Sequence, residues 1–428
     1  MLYVTIAMLI LIIICQLAFH KNAIWSPVCI FSLLWIGIIV FYKSGYVELY
    51  PLSSRAELII ALGVFGFFVG GELSYSTIHR KYVFGKHGTY RNKQIDNHID
   101  IGGHIDRPRN NLIFALSVAC IVMLIIRVIP SIALIRMGYT FEQITEGRLY
   151  YKAEGGLMLL FSVYFMYPFS SVLPVIGAYE MMKGKKGDKR IILCSIIVVI
   201  LSALQRGGRF VTITYFVYIL TYKNLLGKKI NIKPRTKRII AIITIAAVIA
   251  VLKLSESRGT SSITQSAIMY MCGCLPNMDQ RLFTGGTNPL TFGGSSLYGY
   301  IAPVMYLLKG FGMPYPDFFM RLTNAVNVEN VISIGPSNRY NAFVTLFYHM
   351  FLDGREFGVI VGSVLLGLIS MKAYKKARNN ISEKDAIIYG LLMYQIISPM
   401  IRVQFSGYTY ALSFLYIPLL YRLVREET

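Results

Sequence analysis

The sequence predicts an all-α, polytopic membrane protein. Three observations carry that expectation. Hydrophobic residues fill 55% of the 428 positions, and charged residues only 15%, against about 25% in an ordinary soluble domain. The apolar residues fall into blocks of roughly 15 to 24, near the length a helix needs to cross about 30 Å of hydrocarbon. Lys and Arg gather in alternate connections between the blocks, the pattern of cytoplasmic loops.

Taken in order, the apolar blocks lie at 2–19, 24–42, 57–73, 112–135, 157–181, 190–205, 209–226, 238–252, 356–374, 386–401 and 405–424. That makes about eleven crossings, with ten to twelve as the range. Each is expected to be a helix, because hydrocarbon offers no partner to an unbonded backbone group. The first block lacks a basic stretch before it and a small-residue cleavage site after it, so it reads as a retained helix rather than a signal peptide. The connections 74–111, 182–190, 223–238 and the stretch from Lys372 to Lys384 are basic. Successive basic connections are two helices apart, so all of them can face the cytoplasm. The N-terminus is then outside and the C-terminus inside.

Net charge is +22. In a soluble protein this would suggest nucleic acid, but here the positive-inside bias accounts for it and no nucleic-acid partner is expected. The six cysteines give no disulfide framework. Cys15, Cys29, Cys120 and Cys194 lie in apolar helices, and Cys272 and Cys274 are too close together for an unstrained bridge. The run Ile95–Asp106 repeats His and Asp (His98, His104, Asp96, Asp100, Asp106), and a polar linker explains it better than a metal site. No metal and no cofactor are expected.

The chain divides into an N-terminal bundle over 1–252, a large outer loop over 253–355, and closing helices over 356–428. A loop of roughly a hundred residues is unusual without a function. It is rich in Gly, Pro, Asn, Ser and aromatics, and its apolar patches 267–275 and 297–312 suit re-entrant or interfacial helices.

Three groups of residues stand out. Arg206 and Arg209 flank Gly207-Gly208 in a short outer turn that opens a helix. Free N–H groups, the positive end of the helix dipole and two guanidiniums suit a phosphate or pyrophosphate. Snorkelling to lipid phosphates is the plainer alternative. Arg127 lies inside an apolar block, where an ionisable residue is a functional candidate by default. The run from Pro336 to Gly358 holds Arg339, Tyr340, Asn341, Tyr348, His349, Asp353, Arg355 and Glu356. His349 is the only His in the large outer loop, and its ordinary pKa suits proton abstraction from a sugar hydroxyl. Asp353, four residues on, would stand beside it on a helix. There is no phosphate loop, no dinucleotide fingerprint, no zinc-peptidase motif and no Asp-x-Asp pair. A nucleotide-driven pump and a nucleotide-sugar transferase are therefore disfavoured.

In layout the sequence resembles Wzy-type oligosaccharide repeat-unit polymerases, the O-antigen or capsule polymerases of bacterial envelopes. The likeness covers nearly the whole chain: many helices, one large late outer loop, then a few closing helices. Locally it rests on the Arg206–Arg209 turn and on Asn341-x-x-x-Thr345-x-x-Tyr348 running through Asp353 to Phe357-Gly358, with Gly362 and Leu366-Gly-Leu368 beyond. Family members often carry an uninterrupted Asp-Phe-Gly, whereas this chain reads Asp353-Gly-Arg-Glu-Phe357-Gly358.

The resemblance implies a metal-independent glycosyltransferase of the GT-C-like membrane class in the bacterial inner membrane. It would join glycan units carried on undecaprenyl pyrophosphate at the outer face, with a chain-length regulator as a partner protein. Arg206, Arg209, Arg127, Arg339, Arg355 and Arg402 would hold the pyrophosphate, and His349 or Asp353 would take the acceptor proton. Tyr298, Tyr300, Tyr340, Asn341 and Tyr348 would contact sugars. An O-antigen ligase shares the donor site. A flippase of lipid-linked sugars and a non-catalytic scaffold are more distant alternatives.

Overall fold

A computed structural model describes residues 1–19, 23–83, 104–137, 157–206, 210–227, 263–284, 288–328, 330–340, 343–380 and 382–425. The expected crossing at 238–252 lies outside them. The fold is helical, and five of its helices are long and apolar enough to cross a membrane: Leu2–Phe19, Ser54–Ser74, Asn110–Ile129, Met158–Lys186 and Leu346–Asn379. Two shorter apolar helices are Pro27–Lys43 and Tyr408–Leu420. The protein is thus an all-α membrane protein in class. The described residues form two compact units.

The first unit takes Met1–Arg109, Cys272–Met305 and Pro314–Thr428. It opens with α1 (Leu2–Phe19), α2 (Pro27–Lys43) and α3 (Ser54–Val83). Pro27 starts α2 with its ring in the position where no N–H is needed, and the Ser26 hydroxyl accepts from Cys29 N. Helix α3 is capped twice at its start. The Ser53 hydroxyl accepts from Ala56 N, and the buried Asp279 carboxylate accepts from Ser53 N and Oγ at 2.7 and 2.6 Å. A strand β1 (His104–Pro108) follows, so the last residues of the His/Asp run are extended backbone rather than free linker.

The second unit takes Asn110–Met271 and Tyr306–Met313. Its helices are α4 (Asn110–Arg136), α5 (Leu157–Phe161) running through a π turn at Ser162–Met166 into α6 (Tyr167–Lys183), α7 (Lys189–Arg206), α8 (Phe210–Leu225) and α9 (Ile263–Cys272). The α6–α7 hairpin is closed by buried Glu180, which accepts from Lys183 Nζ at 2.7 Å and from Asp188 N at 2.9 Å. The helices pack through small contacts: a Cβ on Gly177 would meet Ser195 Oγ at 2.0 Å.

The expected outer loop is largely ordered into short elements: α10 (Cys274–Asp279), α11 (Tyr298–Gly310, in the first unit as far as Met305), α12 (Asp317–Val326) and a two-residue hairpin of β2 (Ile332–Ser333) with β3 (Arg339–Tyr340). The patches at 267–275 and 297–312 are therefore helical. The closing elements are α13 (Leu346–Asn380), α14 (Glu383–Ile397) and α15 (Tyr408–Leu420). The last expected block stops short. Tyr421–Arg425 is a strand, β4, paired antiparallel with β1 from His104↔Arg425 to Pro108↔Tyr421.

Helix α13 is two helices joined by a sharp bend at Gly354 and Arg355, and Arg355 has φ 56°. Leu346–Asp353 folds back along the longer half. Met350 meets the position of a Cβ on Gly358 and Gly362, which a straight helix would hold far apart. The longer half runs beside α3 in the same direction. Gly66 abuts Ile360 and Ser363, Gly70 abuts Val364 and Leu368, and Gly71 lies by Met371. Glycine on both helices lets the backbones touch, the means by which helices associate in lipid.

Candidate functional site

The bend places the chemistry of the first unit. His349 and Asp353 lie one turn apart on the short half-helix, yet they do not pair with each other. Both grip the turn from Thr291 to Leu297. Asp353 accepts from Thr291 Oγ1 at 2.6 Å, Ser295 N at 2.8 Å and Ser296 N at 3.0 Å. Thr291 N donates to Leu352 O at 2.9 Å. His349 Nδ1 is 2.9 Å from Ser295 Oγ. The imidazole is fully buried, and its Nε2 has no partner among the described residues. Such an atom is costly unless something fills the place beside it.

The floor of the site is irregular backbone. Val344, Thr345 and Leu346 donate in turn to Ile401, Met400 and Pro399 carbonyls at 2.9–3.1 Å. These two strips interrupt the bundle between α12 and α13 and between α14 and α15. Phe347, next along, leans on Gly63 and stacks on Trp35 at 4.9 Å. Gly63 is nine residues into α3, which puts the strip about 13 Å below the start of that helix. Non-helical backbone at such depth persists only when buried in protein or lining a polar cavity. Here polar side chains support it: Gln395 bonds Arg402 O at 3.3 Å and also Gln404 N, and Gln404 Nε2 bonds Ser398 Oγ at 3.0 Å.

Arg402 stands on this strip. Its guanidinium reaches the space a Cβ on Gly407 would fill, at 3.1 Å, and its charge acts on His349. Gly299 at the start of α11 lies against Phe405 O and Gly407, where a Cβ would come within 2.6 Å. Ser295, His349, Arg402 and Ser406, whose buried Oγ has no partner among the described residues, thus belong to one junction of α11, the half-helix and the 398–407 turn.

The remaining residues singled out by sequence fall as follows. Arg355 donates to Asn288 O at 2.6 Å and lies over Phe351. Arg339 is exposed on the β2–β3 hairpin. Tyr298 stacks on Phe319 and bonds Thr323 at 3.0 Å, and Tyr300 stacks on Phe405. Tyr340 and Tyr348 are buried, the first edge-on to Phe343 and the second donating to Ala325 O at 3.1 Å. Both rings are closed off from a sugar in this structure, as the His349 imidazole is, so the expected sugar contacts of Tyr340 and Tyr348 are not seen. Asn341 lies outside the described residues. Burial raises the pKa of Tyr300.

In the second unit Arg127 bonds Ser162 Oγ at 2.5 Å, inside the π turn, and lies over the Tyr167 ring. Gln205 Nε2 bonds Tyr167 Oη at 3.2 Å, so Tyr167 links Arg127 to the end of α7, where Arg206 is the last residue. π turns recur at functional positions in helices. Arg209 and the two glycines lie outside the described residues, as does the conformation of the Arg206 side chain.

Sequence reasoning passed over Ser295, Gln395, Gln404 and Arg281. Arg281 bonds Asn277 Oδ1 and Val328 O, both at 2.9 Å, and burial lowers its pKa. The two glutamines had a usable signal, being polar in or beside an apolar block. Among the described residues no group of three His, Cys, Asp or Glu side chains is placed to hold a metal. Comparison with protein-family models, with curated proteins and with solved structures finds no match to this chain.

Proposed function

We propose that this chain is a Wzy-type polymerase, a GT-C-like membrane glycosyltransferase that joins undecaprenyl-pyrophosphate-linked oligosaccharide repeat units. The observation that carries the reading is the hydrogen bond of buried His349 to Ser295 in the junction where two broken segments, one of them carrying Arg402 against Gly407, interrupt a membrane bundle. An imidazole and a guanidinium in one junction of broken backbone suit transfer from a lipid-pyrophosphate donor.

In this reading Nδ1–H of His349 donates to Ser295 Oγ, which leaves the buried Nε2 to take the proton of an acceptor hydroxyl once the junction opens to admit it. The acceptor oxygen bonds to the donor's anomeric carbon as the bond to undecaprenyl pyrophosphate breaks. Arg402 stabilises the departing pyrophosphate, with Arg339 and Arg355 as further anion ligands; Arg206, Arg209 and Arg127 are separate candidates for binding a lipid pyrophosphate. Asp353 holds the turn that carries Ser295. Tyr298 and Tyr300, only half buried, are the tyrosines left to meet sugars. No metal or cofactor takes part.

About eleven crossings, the N-terminus outside and the C-terminus inside complete the reading, in the bacterial inner membrane. The parallel course of α3 and the long half of α13 supports it. Two helices pointing the same way need an odd number of crossings between them, and the expected spans from 112–135 to 238–252 supply five.

The test is the purified protein in nanodiscs with a lipid-linked repeat unit and no nucleotide sugar. Wild type should give a ladder spaced by one unit. His349→Ala, Arg402→Ala and Arg206→Ala should each lower the rate about 10²-fold or more with unchanged gel-filtration profiles. A ladder that survives all three discards the residue roles. An untouched donor discards the polymerase, and transfer of one glycan to a different acceptor means a ligase.

A further inference from the structure

We infer that the turn from Thr291 to Leu297 dips into the boundary between headgroups and acyl chains of the leaflet where α3 begins, with Phe292 as its wedge.

The residue types are the first reason. Phe292 is 84% exposed, and Leu290 and Leu297 beside it are about half exposed. Tight turns that face water carry Gly, Asn, Asp or Ser at such places. Phe292 also has φ 49°, in the left-handed region that a bulky side chain avoids, with Gly293 following at φ 90°. The fold accepts that conformation in order to hold a phenyl ring outward.

The second reason is rigidity. Asp353 takes three hydrogen bonds from the turn and Leu352 O a fourth. Gly294 N and Leu297 N close it internally on Thr291 O and Gly293 O at 2.8 and 3.0 Å. Phe292 is therefore fixed in place rather than swinging at random, and little ordering entropy is lost when it meets a partner.

Height decides what that partner is. The turn is bonded to the bend of α13, where Asn288 O also receives Arg355 and where Glu356 pairs with Arg55 at 2.7 Å near the start of α3. Immediately past the bend, Phe357 is 73% exposed, and Val361, Leu365 and Ile369 continue it at four-residue steps as an outward apolar stripe. That stripe lies on a helix long and apolar enough to cross the bilayer. Phe292 belongs to the turn bonded to that bend, at the end of the helix where the stripe begins. Lipid is therefore the occupant that continues an apolar surface already facing it, and aromatic and aliphatic side chains favour this boundary.

The inference is independent of catalysis, and so is its test. Nitroxide labels are placed by Phe292→Cys, Phe357→Cys and Lys185→Cys, and wild type is labelled in parallel to subtract the native cysteines. The proteins are held in nanodiscs of phosphatidylcholine with phosphatidylglycerol. Collision rates with oxygen and with a water-soluble nickel chelate are then measured. The expected result is an oxygen-to-nickel ratio at position 292 shifted from that of position 185, in an exposed basic loop, toward that of position 357. A ratio equal to that at 185 overturns the inference. So does a label shielded from both reagents, which would mean protein covers the turn. If the label at 292 disturbs folding, Leu297→Cys is read by the same criteria.

Discussion

Replacing Gly70 by Ala should loosen the pairing of α3 with α13. A Cβ there would lie 2.0 Å from Val364 O and 2.8–2.9 Å from two further backbone atoms of α13. Ordinary contact begins near 3.4 Å, so the two helices must part by more than an ångström. No rotamer can relieve this, because every atom met is backbone. Overpacking of this kind costs about 1–3 kcal/mol, and a gap of that size along the rest of the interface forfeits a quarter to a half of each contact's attraction. Ala gains about 1 kcal/mol over Gly in helix propensity. The net loss is then about 1–2 kcal/mol, or roughly 1–2 °C in apparent melting temperature for a chain of 428 residues. Trp35 is fully buried and stacked on Phe347, which leans on Gly63 of α3, so tryptophan emission during heating in detergent reads this region. Gly37→Ala is the control, since no atom lies within 4 Å of its Cβ position. It should hold or gain stability. If Gly70→Ala melts with Gly37→Ala, the close approach of α3 and α13 is not what holds them together.

Two further outcomes follow from other contacts. Asp353→Ala removes the acceptor of three hydrogen bonds and should release the Thr291–Leu297 turn at a cost of about 2–3 kcal/mol. Faster amide exchange at Ser295 and Ser296, with the β2–β3 hairpin unchanged, is the readout. In the α6–α7 connection, the Arg190 side chain bonded to Asp188 holds its carboxyl below the ordinary carboxylate range. Because the folded pKa is the lower one, the stabilisation is complete above the unfolded value near 4 and is lost as pH falls through the folded value. The connection should resist protease equally from pH 5 to 8 and loosen only below about pH 4, and Asp188→Asn should abolish that acid dependence.

The apolar helices were legible because hydrocarbon favours long apolar runs with every backbone group bonded. Leu2–Phe19, Asn110–Arg136 and the α7–α8 pair fall within a few residues of their expected limits. Legibility fails where the chain breaks. Leu346–Asp353 holds Tyr348, His349 and Asp353, so it reads as polar loop, although it folds back beside α3 with those side chains turned into protein. The spacing of His349 and Asp353 correctly put them on one helix face. What that face meets is set by a turn more than fifty residues earlier in the chain. Ser295 had no local signal at all, since one serine in a Gly-Ser run looks like its neighbour. By hydropathy the last block continues as helix to 424, but Tyr421–Arg425 is drawn into extended pairing by a partner far back in the sequence.

That pairing has a consequence for synthesis. The strand His104–Pro108 leaves the ribosome about 300 residues ahead of Tyr421–Arg425, its only ladder partner among the described residues. At about 5–20 residues per second, it waits roughly 15 to 60 s with both edges open. An unpaired edge invites the wrong strand, and a charge or a proline discourages it. Asp106, Arg107 and Pro108 supply both within five residues. A nascent chain stalled or cut before Tyr421 would keep that edge open, so the cost of an interrupted synthesis falls on a strand made about 300 residues earlier.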